Sequence, residues 1–75
     1  MDFLMPKPDH LSEEAVIVKW LKKEGDRVLT GEVILQIETG KCVLDVESDQ
    51  NGILSKIYRK EGETVEVLTP VADIS

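Results

Sequence analysis

Val18-Lys19-Trp20-Leu21-Lys22-Lys23-Glu24-Gly25-Asp26-Arg27-Val28 recurs 37 positions later as Ser55-Lys56-Ile57-Tyr58-Arg59-Lys60-Glu61-Gly62-Glu63-Thr64-Val65. A self-match at a fixed period means that one structural unit is built twice. Further out, the same offset sets Ala15 on Gly52, Ile17 on Leu54, Ile34 on Val71 and Ile37 on Ile74. These positions are small, turn-forming or apolar. Each half is therefore expected to fold into the same hairpin arrangement and to bury the same face, with Gly25 and Gly62 in equivalent turns and Trp20 and Ile57 as equivalent core anchors.

Seventy-five residues make one domain, 1–75, with a small core. Phe3, Trp20 and Tyr58 are the only aromatic residues, so the interior must be mostly Val, Ile and Leu, which favours strands. Five glycines and three prolines punctuate the chain every few residues and leave little room for helical periodicity. The reading is an all-β domain of about eight short strands, with two similar sheets packed face to face or closed into a flattened barrel.

Within the first half, Val33-Ile34-Leu35-Gln36-Ile37-Glu38 and Val43-Leu44-Asp45-Val46-Glu47 read as paired strands joined by Thr39-Gly40-Lys41-Cys42. A lysine at the tip of a tight hairpin is exposed, fixed in position and reachable by another enzyme, which suits covalent modification better than salt bridging. The repeat also places it. Residues just after Glu38 correspond to residues just after Ser75, so the Lys41 tip and the chain's end are expected at equivalent places in opposite halves. Lys41 then points away from whatever the C-terminus is attached to.

The formal charge is −6, with acidic and basic residues interspersed and no basic stripe, which argues against nucleic acid as a partner. An acidic surface instead steers a domain toward basic channel mouths on other proteins. No apolar run approaches membrane-spanning length and the start lacks the plan of a secretory signal, so the chain reads as soluble, without a membrane partner. A single cysteine, Cys42, allows no internal disulfide and fits a reducing compartment. It reads as a small residue beside the turn. His10, the only histidine, lies in Pro8-Asp9-His10-Leu11 and reads as a solvated loop residue rather than the centre of a nucleophilic relay. No catalytic residues and no metal-ligand spacing are found, and the glycines form no phosphate-cradling loop. The chain is not read as an enzyme by itself.

Met5-Pro6-Lys7, Val18-Lys19-Trp20 before Lys23-Glu24-Gly25-Asp26-Arg27-Val28, Gly31-Glu32-Val33, Ile37-Glu38-Thr39, Val46-Glu47-Ser48, Gly52-Ile53-Leu54, Lys60-Glu61-Gly62 and Thr69-Pro70 together resemble the lipoyl domain of 2-oxo acid dehydrogenase complexes. The resemblance runs nearly end to end and implies a barrel-sandwich hybrid, or single hammerhead: two four-stranded antiparallel sheets related by a quasi-twofold axis. In that family a Glu-Thr-Asp-Lys-Ala hairpin carries lipoic acid on its lysine, and the matching residue here is Lys41. The family's aspartate is Gly40 and its alanine is Cys42. Pro8-Asp9-His10-Leu11-Ser12 also departs from the family pattern, in a loop that influences partner recognition there.

The resemblance implies a swinging arm. A lipoate ligase or lipoyl transferase would attach the cofactor to Lys41. The domain would then serve a thiamine-diphosphate-dependent 2-oxo acid decarboxylase, an acyltransferase catalytic domain and a dihydrolipoyl dehydrogenase, in the bacterial cytoplasm or the mitochondrial matrix. Tethering makes each visit effectively intramolecular. The chain ends directly after the last repeat strand, which reads as a domain cut from a longer acyltransferase. Two other readings stay open: a biotin carrier of a carboxylase, which normally has methionines on both sides of its lysine, and an unmodified structural or interaction domain of the same fold. Glu38-Thr39 favours the lipoyl reading over the biotin one.

Overall fold

Short apolar runs broken by glycine turns yield strands throughout the computed structural model of the chain, which describes residues 1–7 and 13–75. These are β1 (Asp2–Leu4), β2 (Glu14–Trp20), β3 (Arg27–Val28), β4 (Val33–Glu38), β5 (Val43–Glu47), β6 (Gly52–Ile57), β7 (Thr64–Glu66) and β8 (Pro70–Ile74). The expectations for His10 and for Pro8 to Ser12 fall outside the described residues.

Two four-stranded antiparallel sheets result, in the orders β1-β8-β6-β3 and β5-β4-β2-β7. Among the described residues the outer strands β1, β3, β5 and β7 each pair on one side only. Of the two arrangements read from the sequence, the face-to-face sandwich forms and the closed barrel does not. The edge strands β3 and β7 have only two and three residues, too few ladder positions to bridge to the opposite sheet.

The sequence repeat is reproduced in the backbone. A shift of 37 residues takes β2 to β6, β3 to β7 and β4 to β8, and the same exchange relates β5 to β1. Even the irregularities recur. Register breaks at Val18 in β2 and at Ser55 in β6, and again at Ile34 in β4 and at Val71 in β8. A bulge interrupts the in-out alternation of a strand. At the second pair of breaks two consecutive residues turn inward, so Ile34 with Leu35 and Val71 with Ala72 are all fully buried.

The core between the sheets is filled by these paired positions: Ile17 with Leu54, Val28 with Val65, Ile37 with Ile74. Each large aliphatic side chain removed from water contributes about 1.5–3 kcal/mol, which makes this layer the main term holding the halves together. Hydrogen bonds then stitch them in matched pairs. Gly25 and Gly62 take φ of 96° and 90°. Their N–H groups donate to the carbonyls of Leu54 and Ile17, both at 2.7 Å. The preceding glutamates cross over as well: Glu24 accepts from the Ile57 N–H at 2.8 Å and Glu61 from the Trp20 N–H at 2.9 Å. Trp20 and Ile57 prove to be half-buried, packing on the margin of the core rather than within it. Each ends its strand, and the Trp20 indole N–H reaches out to the Arg59 carbonyl at 2.9 Å.

Candidate functional site

The β4–β5 hairpin is fixed from its base upward. At the base Gly31 turns with φ 88°, its N–H donating to the Ser48 carbonyl at 2.8 Å while the Ser48 N–H donates to the Glu32 carbonyl at 2.9 Å. Ser48 is buried, and its hydroxyl is satisfied by the Gln50 carbonyl at 2.5 Å. The Glu32 carboxylate is held 2.8 Å from the Lys22 ammonium and accepts from the Leu29 N–H at 3.1 Å. Lys22 first, and then the Leu29 amide, hold that carboxyl below its usual range. Hydrogen bonding to the charged form of an acid favours ionisation.

Above the base the ladder pairs Gln36 with Asp45, Ile37 with Leu44 and Glu38 with Val43. Ile37 and Val46 lie in the core and Leu44 packs against it, whereas Val43, Asp45 and Glu47 are exposed. Alternation along β5 thus anchors one face and wets the other. The Gln36 amide adds a cross-strand bond to Asp45 Oδ1 at 3.0 Å.

At the apex, Gly40, Lys41 and Cys42 are exposed and Thr39 is half-buried. The Thr39 N–H donates to the Cys42 carbonyl at 3.0 Å. The Thr39 hydroxyl accepts from the Lys41 N–H at 3.3 Å and donates to the Cys42 carbonyl at 3.5 Å. Neither Gly40 nor Lys41 has a positive φ. The two-residue turns commonest in hairpins require at least one, so this tip belongs to neither type. A Cβ added to Gly40 would meet nothing within 4 Å. The apex therefore does not depend on glycine.

Lys41 forms no ion pair among the described residues. The chain's other lysines sit differently: Lys7 in the segment after β1, Lys19 and Lys56 within β2 and β6, Lys22 against Glu32, and Lys23 and Lys60 beside the Gly25 and Gly62 turns. In the other sheet the place equivalent to the tip is taken by the meeting of the chain ends, where the Met1 ammonium donates to the Ile74 carbonyl at 3.0 Å and to Asp73 Oδ1 at 2.7 Å. The sequence reading named Lys41, Gly40 and Cys42 but passed over the Thr39 hydroxyl. Its signal was present, since Ser and Thr often bond the backbone amide two residues on.

The family described as "Biotin-requiring enzyme", which covers biotin and lipoyl attachment, matches residues 1–74. The chain is 43% identical over 72 residues to a dihydrolipoyllysine-residue succinyltransferase component of the 2-oxoglutarate dehydrogenase complex from Rickettsia bellii, covering 96% of this chain and 18% of that protein. It is 42% identical over 73 residues to a pyruvate dehydrogenase E1 component subunit beta from Rhizobium meliloti, covering 96% of this chain and 16% of the relative. The chain thus spans less than a fifth of the length of these relatives. Its backbone superposes on the solution structure of the lipoyl domain of the 2-oxoglutarate dehydrogenase complex from Azotobacter vinelandii with a TM-score of 0.75 at 27% identity, covering 96% of this chain and 94% of that one.

Proposed function

The chain belongs to the biotin- and lipoyl-attachment family as a lipoyl carrier domain that is not catalytic by itself, and on that premise we propose that Lys41 carries lipoic acid in amide linkage. The observation that carries this reading is the geometry of the apex. Lys41 is exposed and unpaired among the described residues, at the summit of a hairpin whose base, ladder and tip are each hydrogen-bonded. A ligase active site can approach such an amine without unfolding the domain.

Attachment requires the Lys41 amine in its neutral form. Its Nζ attacks the carbonyl carbon of an activated lipoyl ester, a C–N bond forms, the C–O bond to the leaving group breaks, and the amine's surplus proton passes to a base. The cation at position 41 disappears in the process. When attached, the dithiolane supplies a disulfide that takes up an acyl group and two electrons and later gives up each in turn. The domain's part is to display Lys41, to keep its strands rigid beneath it and to be recognised.

The exposed acidic residues Glu38, just below the tip, and Asp45 and Glu47, further down β5 toward the base, favour partners with basic surroundings to their active sites. On the strength of the relatives, those partners are the decarboxylase, acyltransferase and dihydrolipoyl dehydrogenase of a 2-oxo acid dehydrogenase complex, with a lipoate ligase or transferase acting beforehand. The host is an acyltransferase subunit in the bacterial cytoplasm or the mitochondrial matrix. Lipoate is favoured over biotin because Glu38-Thr39 fits the lipoyl pattern, whereas Gly40 and Cys42 match the flanking residues of neither the lipoyl nor the biotinyl lysine. Parallel incubations with a lipoate ligase and with a biotin ligase, read by intact mass, decide between them. The expected result is one lipoyl group and no biotin; a biotin adduct alone would overturn the choice.

A further inference from the structure

We propose that Thr39 is the positioning residue for Lys41, holding the lysine's backbone in the orientation presented to incoming active sites. This rests on the reading of Lys41 as the attachment point. The apex has few means of holding itself. Gly40 contributes no side chain, and its backbone takes no positive φ. Cys42 is exposed, and among the described residues neither Lys41 nor Cys42 makes a side-chain hydrogen bond. The one side chain engaged within the tip is that of Thr39. It is also the only tip residue that is half-buried, with its hydroxyl between the Lys41 N–H at 3.3 Å and the Cys42 carbonyl at 3.5 Å.

A hydroxyl that accepts from the amide two residues ahead mimics a backbone turn from the side. Here it reaches both sides of the lysine at once, through Lys41 itself and through the residue that follows. Preorganisation matters because a nucleophile must arrive in a near-attack geometry; time spent in other orientations is lost to the reaction. With glycine as its neighbour, Lys41 would otherwise swing with a turn of high conformational freedom. Thr39 supplies in this chain the restraint that a side chain at position 40 would supply.

The test compares Thr39→Val, which keeps the shape and loses the hydroxyl, with Thr39→Ser, which keeps the hydroxyl. Each 75-residue protein is given a lipoate ligase, lipoate and ATP, and amide hydrogen exchange is followed at Lys41, Ile37 and Val46. Loss of two weak bonds should lower kcat/KM for lipoylation about three- to tenfold in Thr39→Val and speed exchange at Lys41 by a similar factor. Exchange at Ile37 and Val46 should not change, and Thr39→Ser should restore both readouts. A general loss of stability would move Ile37 and Val46 as well, and would count against positioning. Wild-type lipoylation and wild-type Lys41 exchange in Thr39→Val, or a Ser variant as impaired as the Val one, would overturn the proposal. A wild-type chain that takes no lipoate would overturn the attachment reading instead, while exchange at Lys41 would still decide the hydroxyl's role.

Discussion

Exchanging glycine for alanine at three exposed turns makes the same chemical change with opposite expected signs. At Gly25 and Gly62 the added Cβ would find nothing within 4 Å, so no clash enters, but φ of 96° and 90° is a conformation that L side chains resist. That strain costs about 1–3 kcal/mol. The loss of freedom in the unfolded chain returns about 0.4–1 kcal/mol. The net is a destabilisation of about 0.5–2 kcal/mol at either site. At Gly40 the surroundings are equally empty and φ is not positive, so only the favourable term remains. Gly40→Ala should stabilise by about 0.4–1 kcal/mol. Gly52 adds a third mechanism: its Cβ would stand 2.3 Å from the Ser75 carbonyl oxygen and 3.0 Å from Ile74 Cγ2. Overpacking of this kind costs about 1–3 kcal/mol. Urea unfolding with unchanged m-values reads all four differences. Gly40→Ala as destabilising as Gly25→Ala would refute the description of the tip and, with it, the argument that the apex does not depend on glycine.

Glu24→Ala and Glu61→Ala each remove one crossed bond between the halves and should cost about 0.5–1.5 kcal/mol. Because the two bonds are copies, the two costs should agree within about 0.5 kcal/mol; one neutral variant in urea unfolding would break the equivalence. Asp73 is held below its ordinary value of 3.8, first by the Met1 ammonium and then by the Ser55 hydroxyl. A depressed carboxylate contributes stability that is present above that ordinary value and lost as pH falls through the lower folded one. Acetylating the N-terminus should therefore raise the Asp73 titration midpoint in an NMR titration and reduce the acid sensitivity assignable to it; an unmoved midpoint would show that the ammonium is not the main cause.

The repeat made most of the fold legible. It set equivalent turns at Gly25 and Gly62, equivalent buried pairs such as Ile17 with Leu54, and the tip opposite the chain ends in the twofold scheme. Other features depend on how the halves dock and carry no local signal. Glu24 and Glu61 look like any charged residue beside a turn, and only the assembled sandwich brings each to the other half's strand. Gly31 and Leu68 occupy equivalent turns with φ of 88° and 65°, but a leucine announces nothing of the kind because such backbone is unusual for it. Trp20 reads as a core anchor from its equivalence with Ile57 in the repeat, whereas its position at the end of β2 and its indole bond to Arg59 keep it at the margin. At the apex the lysine is visible from its strands and the threonine's tendency to bond the amide two residues on is a legible signal, while the turn type is not, since the same four residues also fit a turn built on a positive φ at Gly40.

The central claim, that apex geometry singles out one lysine for modification, is tested most directly by peptide mapping of the chain after exhaustive reaction with a lipoate ligase, alongside Lys41→Ala. The account predicts a single lipoylated peptide containing Lys41, with Lys7, Lys19, Lys22, Lys23, Lys56 and Lys60 untouched and no lipoyl group on the variant. Lipoate on any of those other lysines, or undiminished modification of Lys41→Ala, would contradict it.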